Sequence, residues 1–137
     1  MNKNIKNIGI ILVIFGMVGI ASIVAMAAIP TSNDYKANIY SLDDMSGGTY
    51  NSIIVEITDS ANRPIEGASV SIDAMTGYYK WNHKTDANGL VVVRFTTSHC
   101  AAGGCPMPVV VKATKTVNRI VHTANATKTI NLHNVGV

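Results

Sequence analysis

The chain has 137 residues, a net charge of +3 and only 14% charged residues, so it has room for one small domain. Two of the positive charges, Lys3 and Lys6, precede an apolar run. The rest of the chain carries nine Lys and Arg residues against eight Asp and Glu, and is nearly neutral. No basic stripe is present, which excludes nucleic acid from the predicted partners.

Residues 1–29 are predicted to form an export segment. After the two lysines, the chain runs from Ile8 to Ile29 for 22 residues without a charge. A helix of about 20 residues crosses the hydrocarbon core of a membrane. Lysines on the short N-terminal side favour retention of that end in the cytoplasm. We therefore expect the remaining domain to lie outside the cytoplasmic membrane, at the cell surface, either anchored or secreted.

Three fates of this predicted helix are open. Ala25 and Ala27 fit the A-x-A rule for signal cleavage, so Ala27 is a candidate cleavage site. The length of the run is more typical of an uncleaved membrane anchor. The basic leader followed by a long helix also resembles prokaryotic type IV pilins, especially archaeal ones, which implies a helix that later packs in a filament core. Position 14 is Ile14, where the bacterial pilin pattern has Glu, and this favours a plain anchor or signal.

The rest of the chain is predicted to be all-β. Residues 30–50 are interpreted as a linker or a first strand, and residues 51–137 as the folded domain. Apolar and polar residues alternate in this region, which is typical of strands with one buried face. Six or seven such strands predict a sandwich or barrel. The apolar positions are Ile53, Val55, Ile57, Ala68, Val70, Ile72, Ala74, Val91, Val93, Phe95, Val109, Val111, Ala113, Ile130 and Leu132.

Two stretches carry a resemblance to known families. The first runs from Val55 to Val70 and contains Arg63-Pro64-Ile65-Glu66-Gly67-Ala68; the second is Thr85-Asp86-Ala87-Asn88-Gly89. Together they are similar to carboxypeptidase regulatory-like and bacterial Ig-like (Big-1) domains. The resemblance implies an Ig-like, transthyretin-like Greek-key β-sandwich. It also implies a non-catalytic surface module, spacer, adhesin repeat or filament subunit.

Cys100 and Cys105 flank a small Gly-rich loop. Outside the membrane, two such cysteines are predicted to form a disulfide. The alternative is a copper site, because His99 and Met107 add borderline and soft ligands to the two thiols.

Tyr79, Trp81 and His83 alternate onto one face of a predicted strand. They are a candidate ligand-contact surface, such as a platform for a sugar ring. The alternative, which we favour, is that the aromatic residues belong to the core, as sandwiches often bury a Trp on a central strand.

The remaining polar features are weaker. The scattered histidines predict surface positions, and the adjacent Asp43 and Asp44 predict a solvated pair. Residues 86–89 have a faint resemblance to a calcium loop, but a turn explains them. Asn125-Ala126-Thr127 is a candidate glycosylation site at Asn125. No nucleophile-elbow motif or phosphate loop occurs, so we predict no enzyme activity and no cofactor.

The sequence therefore predicts a structural or interaction protein, a cell-surface or filament subunit that acts through protein contacts. Self-assembly by strand donation would use the segment Asp34–Tyr50. The alternative is an anchored or secreted Ig-like module that binds a carbohydrate or a protein. A copper-binding surface protein is the third and least favoured class.

Overall fold

The computed structural model describes residues 28–101 and 103–134, which fall almost entirely in one compact unit, Thr31–Val137. This part of the chain consists of nine β-strands joined by turns and short loops. The strands are β1 Thr31–Ser32, β2 Lys36–Tyr40, β3 Asp44–Gly47, β4 Tyr50–Thr58, β5 Ser69–Ala74, β6 Tyr79–Lys84, β7 Leu90–Thr96, β8 Cys105–Val117 and β9 Ile120–Asn134.

The strands form two sheets. The larger sheet has the order β1-β9-β8-β5-β6, and β3 also pairs with β9. The smaller sheet has the order β2-β4-β7. Most pairs are antiparallel, but β1 and β3 both run parallel to β9. The outer strands of this sandwich are therefore β6 on one side of the large sheet, and β2 and β7 on the two sides of the small sheet.

The core lies between the sheets, at the positions that the alternating pattern predicts. All fifteen of the apolar residues named above are buried, because each strand directs every second side chain inward. Met45, Met107 and Ala124 add to the same cluster. The all-β sandwich predicted from the sequence is confirmed.

Residues 30–50 differ from the expectation of a linker or one first strand, because they contain β1, β2 and β3. β2 pairs with β4, while β1 and β3 pair with β9. The backbone groups of Asp34–Tyr50 that a donor strand would offer to a neighbouring copy are thus largely used within the chain. Donation of this segment to a neighbouring copy would require these pairings to be exchanged, and it stays a prediction.

Two turns show how the local sequence sets the connections. In the loop after β4, the Asp59 carboxylate accepts the backbone N–H groups of Ala61 and Arg63, at 2.8 and 3.0 Å. This local capping is what the turn residues predict. The β8–β9 hairpin turns at Asn118 and Arg119, both with positive φ, as a two-residue hairpin of the mirror-image type requires. The alternating pattern also predicts one run near Val117–Thr123, but the structure places the turn between β8 and β9 within it.

The predicted N-terminal helix, with Lys3, Lys6 and the candidate cleavage site Ala27, lies outside the described residues. Within residues 28–101 and 103–134, no helix is long and apolar enough to span a membrane.

Candidate interaction sites

The aromatic residues of β6 form a cluster with Phe95 of β7. Trp81 stacks on Tyr79 at 5.7 Å between ring centroids, and Phe95 lies 4.9 Å from Trp81 and 5.1 Å from Tyr79. The Tyr79 hydroxyl donates to the carbonyl of Thr96 at 3.0 Å. Tyr79 and Trp81 pack against the core, as the favoured alternative states, but they are only partly buried and β6 is an edge strand. His83 is exposed at the end of this strand, and the ligand-contact role of Tyr79, Trp81 and His83 stays a prediction.

The predicted disulfide is present between Cys100 and Cys105. The Asn134 side chain holds the loop against the end of β9: its Oδ1 accepts the Cys100 N–H at 3.2 Å, and its amide donates to the Cys100 carbonyl. Met107 is fully buried in the core. The disulfide occupies both sulfur atoms and the fold removes Met107 from the surface, so the ligand set of the copper alternative is not assembled. Among the described residues, no group of three or more His, Cys, Asp or Glu could hold a metal ion.

Two of the histidines bind an aspartate from the N-terminal part of the domain. His122 is only 17% exposed, whereas His133 lies at the surface, as predicted, with 58% of its side chain exposed. His122 Nδ1 lies 2.8 Å from Asp34 Oδ1, and its ring stacks on Tyr35. His133 Nε2 lies 2.8 Å from Asp44 Oδ1. The pairs are 88 and 89 residues apart in the chain, so no local spacing could have revealed them. They fasten the ends of β1 and β3 to β9.

Asp43 and Asp44 are both exposed, at 84% and 62% of their side-chain surface, as the predicted solvated pair requires. The Asp43 carboxylate lies 2.9 Å from the Lys128 ammonium, while Asp44 points to His133. The two adjacent carboxylates thus bind two different residues of β9. The segment at residues 43–47 is held to the large sheet by side chains as well as by the parallel β3–β9 pairing.

The aspartate–histidine pairs predict an acid-sensitive attachment. Hydrogen bonds from His122 and His133 hold the pKa of Asp34 and of Asp44 below the ordinary value. A carboxyl group with a lowered pKa stabilises the fold above its unfolded pKa of about 3.9, and this contribution is lost as pH falls below that value and through the lowered pKa of the folded state. We expect the fall in melting temperature below about pH 4 to be shallower in an Asp34→Asn, Asp44→Asn double variant. Thermal unfolding between neutral and acidic pH measures this.

Asp59 provides the matched control for that titration. The backbone N–H and side chain of Arg63 also lower the pKa of Asp59, but Asp59 caps a turn and does not attach β1 or β3. Amide exchange should therefore show acid-induced loss of protection in β1 and β3 for the wild type and for Asp59→Asn alike. Equal acid profiles for the wild type and the Asp34, Asp44 double variant would contradict the assignment.

The outer face of the small sheet carries a patch of exposed apolar side chains. Tyr40, Ile54 and Val92 are neighbours in register across the three strands. Leu42 and Tyr50 lie at the rim with 68% and 70% of their surface exposed, and Tyr40 and Val92 are about half exposed. We call these five residues the apolar face. Four of them, all except Val92, line part of an open groove of about 450 Å³, whose other lining residues are mostly polar and include Arg94.

This face was missed at the sequence level for an identifiable reason. Ile54 and Val92 occupy outward positions that would be polar if β4 and β7 alternated strictly. These two exceptions were the one sign of the apolar face in the sequence. Tyr40 and Leu42 belong to the segment that was interpreted as a linker or first strand. A contiguous exposed apolar patch on a small domain is typical of an interaction surface.

The outer face of the large sheet is polar and carries the candidate glycosylation site. Asn125 and Thr127 are both exposed on β9, and Asn125 lies opposite Lys112 of β8. The side chain of Asn125 is thus accessible, and its modification stays a prediction. The candidate calcium loop is a turn: the Asp86 carboxylate accepts the N–H groups of Asn88 and Leu90, both at 2.9 Å.

Comparison with solved structures adds to this description. The chain is similar to the PKD domain of an M14-like peptidase from a Thermoplasmatales archaeon, with 16% identity, a TM-score of 0.53, and coverage of 75% of this chain and 100% of that domain. The fold is an Ig-like β-sandwich.

Two further solved structures align less well. The sulfur carrier protein SoxY from Chlorobium limicola matches with 12% identity and a TM-score of 0.47, over 84% of this chain and 94% of that protein. A CARDB domain from Pyrococcus furiosus, solved with two metal ions, matches with 12% identity and a TM-score of 0.45. The match covers 74% of this chain and 94% of that domain. No family model and no curated protein matches the chain. Membership of the carboxypeptidase regulatory-like or Big-1 families stays a prediction.

Proposed function

We propose that this protein is an interaction subunit displayed outside the cytoplasmic membrane, which acts through protein contacts and not through catalysis. The apolar face is the observation that carries the proposal. In the isolated domain four apolar-face side chains, Tyr40, Leu42, Tyr50 and Val92, are exposed to water, and Ile54 is partly buried among them. Burying them against another protein recovers about 25 cal/mol for each Å² of apolar surface removed from water.

Two other features support an extracytoplasmic site. The Cys100–Cys105 disulfide is of the kind that persists in oxidising compartments. The basic N-terminus and the uncharged run from Ile8 to Ile29 are typical of an export signal or an anchor. The finer proposal is a cell-surface or filament subunit, with the membrane as a second partner through the N-terminal segment.

The apolar face can be tested with two exposed positions, Leu42 and Tyr50. In the full-length chain expressed in its own host, we expect surface cross-linking to capture the protein in assemblies. A Leu42→Lys, Tyr50→Lys double variant should lower the yield of those assemblies by roughly tenfold, because charges are unfavourable in an interface core.

Tyr78 supplies the matched control. It is 72% exposed, as Tyr50 is 70% exposed, but it lies beside β6 and outside the apolar face. Tyr78→Lys should leave the assemblies intact. A wild-type protein that remains monomeric, or a double variant that assembles as the wild type does, would refute the proposal.

N-terminal sequencing of the native protein distinguishes the forms of this function. A start at Ala28 supports a secreted domain, an intact Met1 supports an anchored surface subunit, and a start near Ile10 supports a pilin-like filament subunit.

A further inference from the structure

β7 is an edge strand whose free side can be identified from its hydrogen bonds. Ile57 N–H donates to the Gly89 carbonyl at 2.8 Å, and Thr97 N–H donates to the Thr49 carbonyl at 2.9 Å. Odd-numbered residues at both ends of β7 therefore bond to β4. Backbone groups alternate along a strand, so the even-numbered residues direct their N–H and C=O groups away from β4.

At both ends of this free side, backbone groups of β7 already have hydrogen-bond partners within the chain. At one end, Leu90 donates to the Asp86 carboxylate at 2.9 Å and accepts the Asp86 N–H at 3.0 Å. At the other end, the carbonyl of Thr96 accepts the Tyr79 hydroxyl. Between them, Val92 and Arg94 have no strand paired to their free side in the part of the chain that the structure describes. We call this stretch the β7 window.

A second feature lies beside the β7 window. The Tyr79, Trp81 and Phe95 cluster spans the two edge strands β6 and β7, and Trp81 is only half-buried. A strand added to β7 would direct every second side chain inward, towards these rings. Apolar residues at those positions would complete the burial of Trp81, and the alternate residues would lie outward, next to Val92 and Arg94.

The charge within the β7 window is positive, because Arg94 is exposed on β7. Lys80 and Lys84 are exposed on the outer side of β6, where Lys84 lines a groove on the large sheet. The nearby carboxylate of Asp86 already accepts two backbone N–H groups, and Asp73 lies opposite Lys80 in register. This distribution favours an acidic partner over a basic one.

We propose that the β7 window binds an extended acidic segment of a partner protein by strand addition, with apolar residues of that segment packed on Trp81 and Phe95. The inference rests on the proposed function of an interaction subunit and specifies one of its contacts. Main-chain hydrogen bonds to Val92 and Arg94 would supply the backbone recognition, and the alternation of apolar and acidic residues would supply the specificity.

The single tryptophan makes the proposal measurable. The full-length chain in mild detergent is titrated with a synthetic peptide of alternating valine and glutamate that is long enough to span Leu90–Thr96. We expect a saturable change in Trp81 fluorescence and slower exchange of the Val92 and Arg94 amides. A matched valine–lysine peptide should bind at least about tenfold more weakly, because it brings like charges to the window.

Proline at position 94 separates the backbone contact from the charge. Arg94→Pro removes an N–H that points away from β4, so it leaves the β4–β7 ladder intact. We expect this variant to bind the acidic peptide at least about tenfold more weakly than Arg94→Gln, which keeps the N–H and loses only the charge. Thermal unfolding checks that both variants are folded.

The outcomes are distinct from those of the assembly experiment. Absence of peptide binding, binding without added protection of the Val92 and Arg94 amides, or equal affinity for the two peptides would overturn the inference. None of these results concerns Leu42 or Tyr50, so loss of assembly in their double variant would leave the proposed function standing. If Arg94→Pro fails to fold, the amide exchange of the wild type still decides.

Discussion

Replacing Gly89 by alanine should destabilise the domain by about 3 kcal/mol or more, a large part of the 5–15 kcal/mol that holds a typical domain folded. Gly89 has a φ of +73°, in the left-handed region that costs other residues about 1–2 kcal/mol. An added Cβ would also lie 2.5 Å from the Ile57 carbonyl oxygen. That oxygen belongs to the backbone of β4 and accepts the Ile65 N–H, so it cannot move without loss of pairing. Urea unfolding followed by Trp81 fluorescence measures the change.

Gly67 isolates the two contributions in this prediction. Its φ is +71°, nearly the same as that of Gly89, but an added Cβ would meet no atom within 4 Å. Gly67→Ala should therefore cost only about 1 kcal/mol, from backbone strain alone. If the two variants lose equal stability, the close approach to Ile57 is not what requires glycine at position 89.

Much of the fold could be predicted because the strands in the middle of the chain alternate cleanly. The run Ile53, Val55 and Ile57 shows this, since burial of one face selects apolar residues at every second position. Turns were predictable where a local side chain closes them, as Asp59 does for the loop after β4. At these positions the residues that fix the local structure are close in sequence to the residues they contact, so the sequence alone shows both.

The strands between residues 30 and 50 could not be predicted because their partners are distant in the chain. β3 pairs with residues 131–134 of β9, and its parallel register leaves no hairpin signal nearby. Met45 is buried there, but one inward apolar residue does not make a pattern. The Asp34–His122 pair could not be predicted for the same reason, because it forms only once β1 pairs with β9 next to His122.

The candidate sites were predicted in part, for a related reason. The disulfide could be predicted from two cysteines in one loop together with the expected location outside the membrane, because both observations are local to the sequence. The apolar face required knowledge of which side of the small sheet is exposed, and Tyr40 reaches Ile54 only through the β2–β4 register. The β7 window depends on whether odd- or even-numbered residues of β7 bond to β4. The pattern of side chains in the sequence does not show this.

Thr85 gives the second large effect, because its hydroxyl joins the two stretches that carry the family resemblance. Its side chain is buried, donates to the Ile65 carbonyl at 2.5 Å and accepts the Ala68 N–H at 2.9 Å. Thr85→Val keeps the shape and removes both hydrogen bonds. An unsatisfied buried polar group costs about 1–3 kcal/mol, so we expect a loss of about 2–4 kcal/mol in urea unfolding.

Thr85→Ser distinguishes the hydroxyl from the methyl group. Serine keeps both hydrogen bonds and loses one buried methyl, which should cost only about 1 kcal/mol. If valine is tolerated as well as serine, the hydroxyl does not hold the 65–68 segment and packing alone fixes it. If valine is much worse, the Thr85 hydroxyl is required to satisfy the Ile65 carbonyl and the Ala68 N–H, just before β5 begins at Ser69. The two stretches would then be one structural unit, in which the turn before β7 fixes the entry into β5.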